Sequence, residues 1–171
     1  ETPLAGAYLL DLEPHQDDRG FFARSFCQKE FAARGLNARV AQCNTSFNHK
    51  QGTLSGLHYQ KPPANEAKLV RCVRGALHDV IVDLRAGSAT YGKHFAAELT
   101  AENRRALFVP KSFAHGFQTL LDDTEVHYQM SAFYDPNSAA GFPYDDPQLA
   151  ISLPLPVHTL SEADRSWPAF S

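Results

Sequence analysis

Residues 67–84 read AKLVRCVRGALHDVIVDL and indicate two β-strands separated by a turn. The first strand is expected at Ala67–Val73, and Arg74-Gly75 follows it as a turn signal. The second strand is expected at Ala76–Leu84, where the apolar alternation slips once around Asp79. This part of the chain therefore predicts β-structure rather than helix.

The sequence that follows continues the same pattern of short strands and turns. Further strands are expected at His94–Leu99, Ala106–Val109, Gly116–Leu121 and Glu125–Ser131. Short strands separated by Gly, Pro and Asp turns predict an all-β sandwich or barrel.

Helix signals are few. Gln28–Arg34 is rich in helix formers and ends at Gly35, a plausible helix stop. Thr100 is expected to cap a helical turn, with Asn103 in the third position after it. From Asp135 onward the prolines forbid long regular structure. These prolines are Pro136, Pro143, Pro147, Pro154 and Pro156.

Composition places the chain among ordinary globular proteins. Its 171 residues are 43% hydrophobic, so residues 1–171 are expected to form one domain that includes an N-terminal arm and a proline-rich C-terminal tail. The net charge is −3 without a run of like charge, which argues against a nucleic-acid partner. No apolar run approaches the roughly 20 residues that cross a bilayer, so no membrane partner is expected.

The three cysteines are Cys27, Cys43 and Cys72, an odd number without a C-x-x-C pair. They indicate reduced thiols rather than a disulfide framework or a zinc site. No signal-peptide pattern opens the chain, and a cytoplasmic protein is expected.

Two histidines occur in frames that are typical of cupin barrels. Gly52–His58 has the G-x5-H spacing of the first cupin motif, and Pro110–His115 has the P-x4-H frame of the second. Metal cupins continue the first motif with a second histidine, where this chain has Tyr59-Gln60. A two-histidine, one-carboxylate site of His58, Glu66 and His115 stays open as the alternative. Without a metal, and with no cofactor expected, an imidazole in the barrel is free to act as a base.

Abstraction of a proton next to a carbonyl needs a base, a partner for that base, a cation for the enolate and an acid on the opposite face. His58 is the candidate base and Asp164 its partner. Lys68 is the candidate cation and Tyr128 the candidate acid. Spacing alone does not show that these four side chains meet.

Ten short motifs occur in one order along residues 5–165. They are DRGFF (18–22), GLHYQ (56–60), KLVR (68–71), DVIVDLR (79–85), GS (87–88), YG (91–92), LTAEN (99–103), AHGF (114–117), DDP (145–147) and LSEAD (160–164). Together they closely resemble the dTDP-4-dehydrorhamnose 3,5-epimerase family. The resemblance implies an all-β cupin jelly-roll barrel with a few short helices. It also implies a homodimer in which an N-terminal strand and part of the pocket cross between subunits.

The resemblance also implies a role for each candidate residue. His58 matches the base and Asp164 its carboxylate, Tyr128 aligns with the acid, and Lys68 aligns with the group that stabilises the enolate. The substrate would be a nucleoside-diphosphate 4-keto-6-deoxyhexose, whose ketone acidifies the hydrogens at C3 and C5. The residues expected to contact it are Arg19 at the pyrophosphate, Phe22, Arg24, Gln42 and Asn44 on a substrate-facing strand, Ser55, His115, and Tyr134 stacked on the base.

The chain departs from the family at substrate-binding positions. Ser55 stands where an arginine normally precedes Gly-Leu-His, and Arg24 stands where a glutamate is usual. Gln129 replaces a lysine after Tyr128, and Phe142-Pro143-Tyr144 replaces a segment that contains tryptophan. An arginine lost and one gained could compensate for each other, or the nucleotide could differ from dTDP.

Three alternatives therefore stay open. One is an enzyme that inverts C3 or C5 alone, on another nucleotide sugar such as a CDP-sugar. A second is a metal-dependent cupin enzyme. A third is a non-catalytic sugar-nucleotide binding protein on the same barrel.

Overall fold

The computed structural model describes residues 1–170 and contains two five-stranded antiparallel sheets packed face to face. In spatial order the first sheet contains β1 (Tyr8–Leu10), β9 (Ala106–Val109), β6 (Lys68–Arg74), β11 (Thr124–Met130) and β4 (Gln42–Asn48). The second sheet contains β12 (Ala139–Gly141), β5 (Leu54–Gln60), β10 (Phe113–Thr119), β7 (Ala76–Asp83) and β8 (His94–Thr100). A hairpin of β2 (His15–Asp17) and β3 (Gly20–Phe22) and the short helices α1 (Gln28–Ala33) and α2 (Glu162–Arg165) lie outside the sheets. The predicted all-β cupin-like fold is confirmed.

The six predicted strands are all present, with bounds that differ by three residues at most. At Arg74-Gly75 the chain leaves the first sheet and enters the second, because β6 and β7 belong to different sheets. The predicted helix is α1, and Gly35 beyond it donates its N–H to the Ala32 carbonyl. Thr100 does cap a turn by accepting the Asn103 N–H at 2.8 Å, but no helix follows it.

Both faces of β7 are buried, which corrects the interpretation of its alternation. Leu77 and Ile81 face the core between the sheets, whereas Val80 and Val82 pack on the outer face in a cluster with side chains of the tail. The strand keeps a regular register through Asp79, so the change of phase among its apolar residues is not a bulge. This carboxylate takes an inward position between Leu77 and Ile81 and is fully buried.

The C-terminal tail covers the outer face of the second sheet. Its only regular elements within residues 135–170 are β12 and α2, as its prolines predict. The Gln118 side chain on β10 both donates to and accepts from the backbone of Leu155, and the Leu54 N–H donates to the Thr159 carbonyl at 2.8 Å. These bonds hold the tail against β10 and β5, so that α2 lies beside β5. Within residues 1–170 no helix is long and apolar enough to cross a membrane.

Candidate active site

The candidate chemical residues meet in a cleft between the two sheets. The cleft has a volume of about 1160 Å³ and continues into an inner recess of about 150 Å³. His58, Lys68, Ser55 and Asn44 line both parts, so the two cavities form one site. His58 comes from β5 of the second sheet and Tyr128 from β11 of the first. The cleft is therefore flanked by a candidate base on one sheet and a candidate acid on the other.

His58 is paired with Asp164 through a hydrogen bond that joins its Nε2 to Oδ1 of the carboxylate. The hydrogen bond to Asp164 orients the imidazole ring and places its N–H on Nε2. The other ring nitrogen, Nδ1, has no hydrogen-bond partner among residues 1–170. It is the nitrogen with a free lone pair for a substrate proton.

Asp164 is held in place from several directions. Ser161 caps α2 by accepting the Asp164 N–H at 3.1 Å, and Oδ2 accepts the Gly56 N–H at 3.3 Å. Gly56 allows β5 to approach β10, since a Cβ at this position would lie 2.6 Å from the His115 carbonyl oxygen. Burial acts to raise the pKa of Asp164, but the hydrogen bonds from His58, Gly56 and Trp167 and the charge of His58 hold it below its ordinary value. The carboxylate is therefore ionised at neutral pH.

Lys68 is buried at the floor of the cleft, with its Nζ 3.2 Å from Glu66 Oε1. Burial lowers the pKa of Lys68, and the charge of Glu66 counteracts part of that effect. Gln60 donates to the second oxygen of Glu66 at 2.9 Å, so the carboxylate is fixed on both sides. Sequence reasoning assigned no role to Gln60 and considered Glu66 only as a metal ligand.

Tyr128 and His115 share the inner recess, with ring centroids 6.2 Å apart. Burial and the nearby charge of Asp79 raise the pKa of Tyr128 well above its ordinary value, so its phenol is protonated at neutral pH and can donate. His115 Nε2 lies 2.7 Å from Asp79 Oδ1, which forms a second buried histidine–aspartate pair. The other Asp79 oxygen is buried without a partner within the described chain. The interruption of the apolar pattern at Asp79 was the sequence signal for this pair.

The three groups of the alternative metal site have separate partners. His58 is paired with Asp164, His115 with Asp79, and Glu66 with Lys68. No group of three or more His, Cys, Asp or Glu side chains in residues 1–170 is arranged to hold a metal ion.

Five of the expected substrate-contacting residues line this site: Gln42, Asn44, Ser55, His115 and Tyr134. Gln42 connects two of them, because its amide donates to Asn44 Oδ1 at 3.2 Å and accepts the Tyr134 N–H at 3.0 Å. The Tyr134 side chain is exposed at the rim, where a planar ligand can reach it.

Arg19, Phe22 and Arg24 do not reach the cleft of their own chain. Arg19 and Phe22 belong to the β2–β3 hairpin region, where Arg19 pairs with Asp17 and Phe22 is 71% exposed. Arg24 pairs with Glu30 on α1 at 2.8 Å. Phe22 and Arg24 line a separate groove of about 580 Å³ between α1 and β1.

Two further cleft residues, Met130 and Trp167, were missed from the sequence. Met130 is the only methionine and lies two residues after Tyr128 on the same face of β11. Trp167 is the only tryptophan and lies in the tail, where no periodic pattern indicated which residues face the cleft.

Comparison with known proteins gives a consistent result. The family model described as dTDP-4-dehydrorhamnose 3,5-epimerase matches residues 1–171. A dTDP-4-dehydrorhamnose 3,5-epimerase of Sinorhizobium fredii is 45% identical over 167 residues, which cover 97% of this chain and 86% of the relative.

Solved structures agree. The dTDP-4-dehydrorhamnose 3,5-epimerase of Bacillus anthracis, with TDP and PPi bound, superposes with a TM-score of 0.95 at 40% identity, covering 99% of this chain and 97% of that one. A 3'-monoepimerase of Streptomyces bikiniensis in complex with dTDP-quinovose has a TM-score of 0.90 at 32% identity, covering 98% and 85% of the two chains. The match over the full length, together with the cupin-like barrel, shows that the chain belongs to the dTDP-4-dehydrorhamnose 3,5-epimerase family of isomerases.

Proposed function

We propose that this protein inverts C3 and C5 of a dTDP-4-keto-6-deoxyhexose by removing and returning protons next to the ketone. The observation that carries the proposal is the placement of His58, paired with Asp164 of α2, on one sheet and of the protonated Tyr128 on the facing sheet, across one cleft. A base and an acid on opposite faces of a sugar are what inversion requires.

In the proposed mechanism His58 Nδ1 removes the hydrogen from C3 or C5, and the electron pair of that C–H bond moves into an enolate with its charge on the C4 oxygen. Lys68 stabilises this charge in the buried floor of the cleft, where little water competes with it. Tyr128 returns a proton to the same carbon from the other face. The ionised Asp164 stabilises the imidazolium that forms on His58.

We also propose that the working protein is a homodimer whose hairpins complete each other's clefts. A nucleoside diphosphate carries negative charge and is best bound by arginine. Lys68, however, is the only cation among the cleft-lining residues of the described chain, and it is already paired with Glu66. The exposed hairpin with Arg19 and Phe22, and the unpaired edge of β4, are available to a second copy. Arg19 of that copy would then reach the diphosphate.

Mixing two inactive variants tests this dimer. We expect His58→Ala and Arg19→Ala proteins to be nearly inactive alone at low substrate concentration. After subunit exchange they should recover roughly a quarter of wild-type activity, because half of the dimers are mixed and one of their two clefts is intact. Activity is measured here as inversion, because Tyr128→Phe is expected to keep proton exchange. Mixing His58→Ala with Tyr128→Phe is the matched control and should recover no inversion beyond that of the Tyr128→Phe protein alone, since both side chains belong to the same chain's cleft. Recovery in the control, or none in the first mixture, would contradict the exchanged hairpin.

The nucleotide and the number of centres inverted are set by the substrate-binding positions. Ser55 lines the cleft beside His58 with a short side chain, so this position contributes no charge to a diphosphate. Arg24 follows the hairpin, and in a dimer it would approach the partner's cleft together with Arg19. We propose that Arg24 takes over the function of the missing arginine and that dTDP is retained. The similar 3'-monoepimerase makes inversion of one centre alone the second candidate.

Proton NMR in D2O tests the function directly. With dTDP-4-keto-6-deoxyglucose we expect deuterium at both C3 and C5, and a much slower reaction with the CDP-sugar. Deuterium at one carbon would establish the single-centre enzyme, and preference for the CDP-sugar would contradict the role given to Arg24. If no nucleotide sugar exchanges although an analogue binds, the protein is a binding protein and the proposal fails.

We infer a cytoplasmic location from the thiols. Cys27, Cys43 and Cys72 are all free in the structure, as expected in a reducing compartment.

A further inference from the structure

Trp167 lies directly against the proposed base and its carboxylate. Its indole N–H donates to Asp164 Oδ1 at 3.3 Å, which is the same oxygen that pairs with His58. The indole and imidazole centroids are 6.1 Å apart in an edge-to-face arrangement. Trp167 is half-buried and forms part of the cleft wall.

The indole is fixed in this position by close packing on β12. A Cβ at Gly141 would lie 2.7 Å from both Cε2 and Nε1 of the ring, so the indole is seated on the glycine backbone. The Gly141 backbone is itself paired with His58 across β12 and β5. The indole of Trp167 is therefore held, through β12, next to the strand that carries His58.

Three donors converge on one carboxylate. The Gly56 N–H holds Oδ2, whereas Oδ1 is shared by His58 and Trp167. Without the indole, only His58 would hold Oδ1, and the carboxylate would be freer to rotate out of the plane of the imidazole. A base that is misaligned by a fraction of an ångström loses rate without losing substrate affinity.

We propose that Trp167 is a positioning residue for epimerisation, whose indole N–H holds Asp164 in line with His58. The inference rests on the proposed role of His58 as the base. Trp167 belongs to the C-terminal tail, and it acts on His58 by holding Asp164.

Because Trp167 is the only tryptophan, its indole N–H can be replaced without changing any other residue. Expression in a tryptophan auxotroph with 3-benzothienylalanine replaces the N–H by sulfur at position 167 only, with nearly the same shape. We expect kcat for deuterium exchange to fall about tenfold, as for loss of a hydrogen bond to a charged group, with KM nearly unchanged. Protein made with 4-fluorotryptophan keeps the N–H and should keep kcat. An unchanged kcat without the N–H, or an equal loss in the fluorinated control, would overturn the proposal.

A second measurement does not depend on turnover. The ¹H–¹⁵N spectrum should contain one indole N–H signal, and Asp164→Asn should move it upfield because the charged acceptor is gone. An unmoved signal would show that the bond to Asp164 is absent in solution. If the unmodified protein exchanges no sugar proton while the indole signal does move, the proposed function fails and the hydrogen bond stands.

Discussion

His58→Asn is expected to lower deuterium incorporation at every exchanging carbon by about 10³-fold, because both steps use this one imidazole as base. Asparagine preserves polarity and can still accept or donate toward Asp164, but it cannot take up a proton near neutral pH. Affinity for dTDP should stay close to that of the wild type, since the ring of His58 is assigned to the sugar. NMR in D2O measures the exchange, and calorimetry measures the affinity.

His49→Asn is the matched control for this variant. His49 is an exposed histidine outside the cleft, with 83% of its side chain accessible, and its replacement should leave the exchange rate unchanged. If His58→Asn exchanges at a rate near that of the wild type at either carbon, another group removes that proton and the single-base mechanism is wrong.

Tyr128→Phe is expected to separate exchange from inversion. The base alone can remove a proton and return a deuteron to the same face, so exchange should continue near the wild-type rate. Inversion needs the donor on the other face and should fall about 100-fold. Because burial raises the pKa of Tyr128, the phenol stays protonated, and Tyr128 should cause no alkaline loss of activity below about pH 10.

Tyr91→Phe removes a phenol that is 45% exposed and outside the cleft, and it should affect neither process. In the Tyr128→Phe variant, the phenylalanine ring keeps the packing of Tyr128 against His115 and Phe117, so the recess should keep its shape. Exchange and inversion that fall together in Tyr128→Phe would contradict the acid role and would indicate damage to the recess instead.

The strands with apolar faces, including β6 and β11 that carry Lys68 and Tyr128, could be predicted from their pattern, whereas β4 could not. β6 and β9 carry apolar residues toward the core and were found almost to the residue. β4 reads QCNTSFN, because the strand presents amide side chains to the cleft and lacks an apolar face. Its strand character came only from the family resemblance, which placed Gln42 and Asn44 on it. Because β4 carries polar side chains for the cleft, it lacks the apolar alternation on which strand prediction depends.

The candidate chemical residues were found by resemblance, but their immediate partners were not. Asp79, Gln60 and Trp167 contact His115, Glu66 and Asp164 over separations of 36, 6 and 3 residues. None of these separations indicates a pairing by itself, because which side chains meet depends on how the strands and the tail are placed in the fold. The hairpin with Arg19 is a different case, because the resemblance assigned it to the pocket and the single chain holds it elsewhere.

The base and its carboxylate are 106 residues apart, and the carboxylate arrives on a tail that wraps the outside of a finished sheet. During synthesis the strand with His58 pairs with β10 and β12 of its sheet, and Asp164 emerges only after both of them. Catalytic competence therefore comes last, after the barrel is closed and the tail has docked along β5. A nascent chain that stalls before the tail emerges would have a nearly complete barrel whose base lacks its carboxylate, so unfinished copies would epimerise the sugar nucleotide slowly at most.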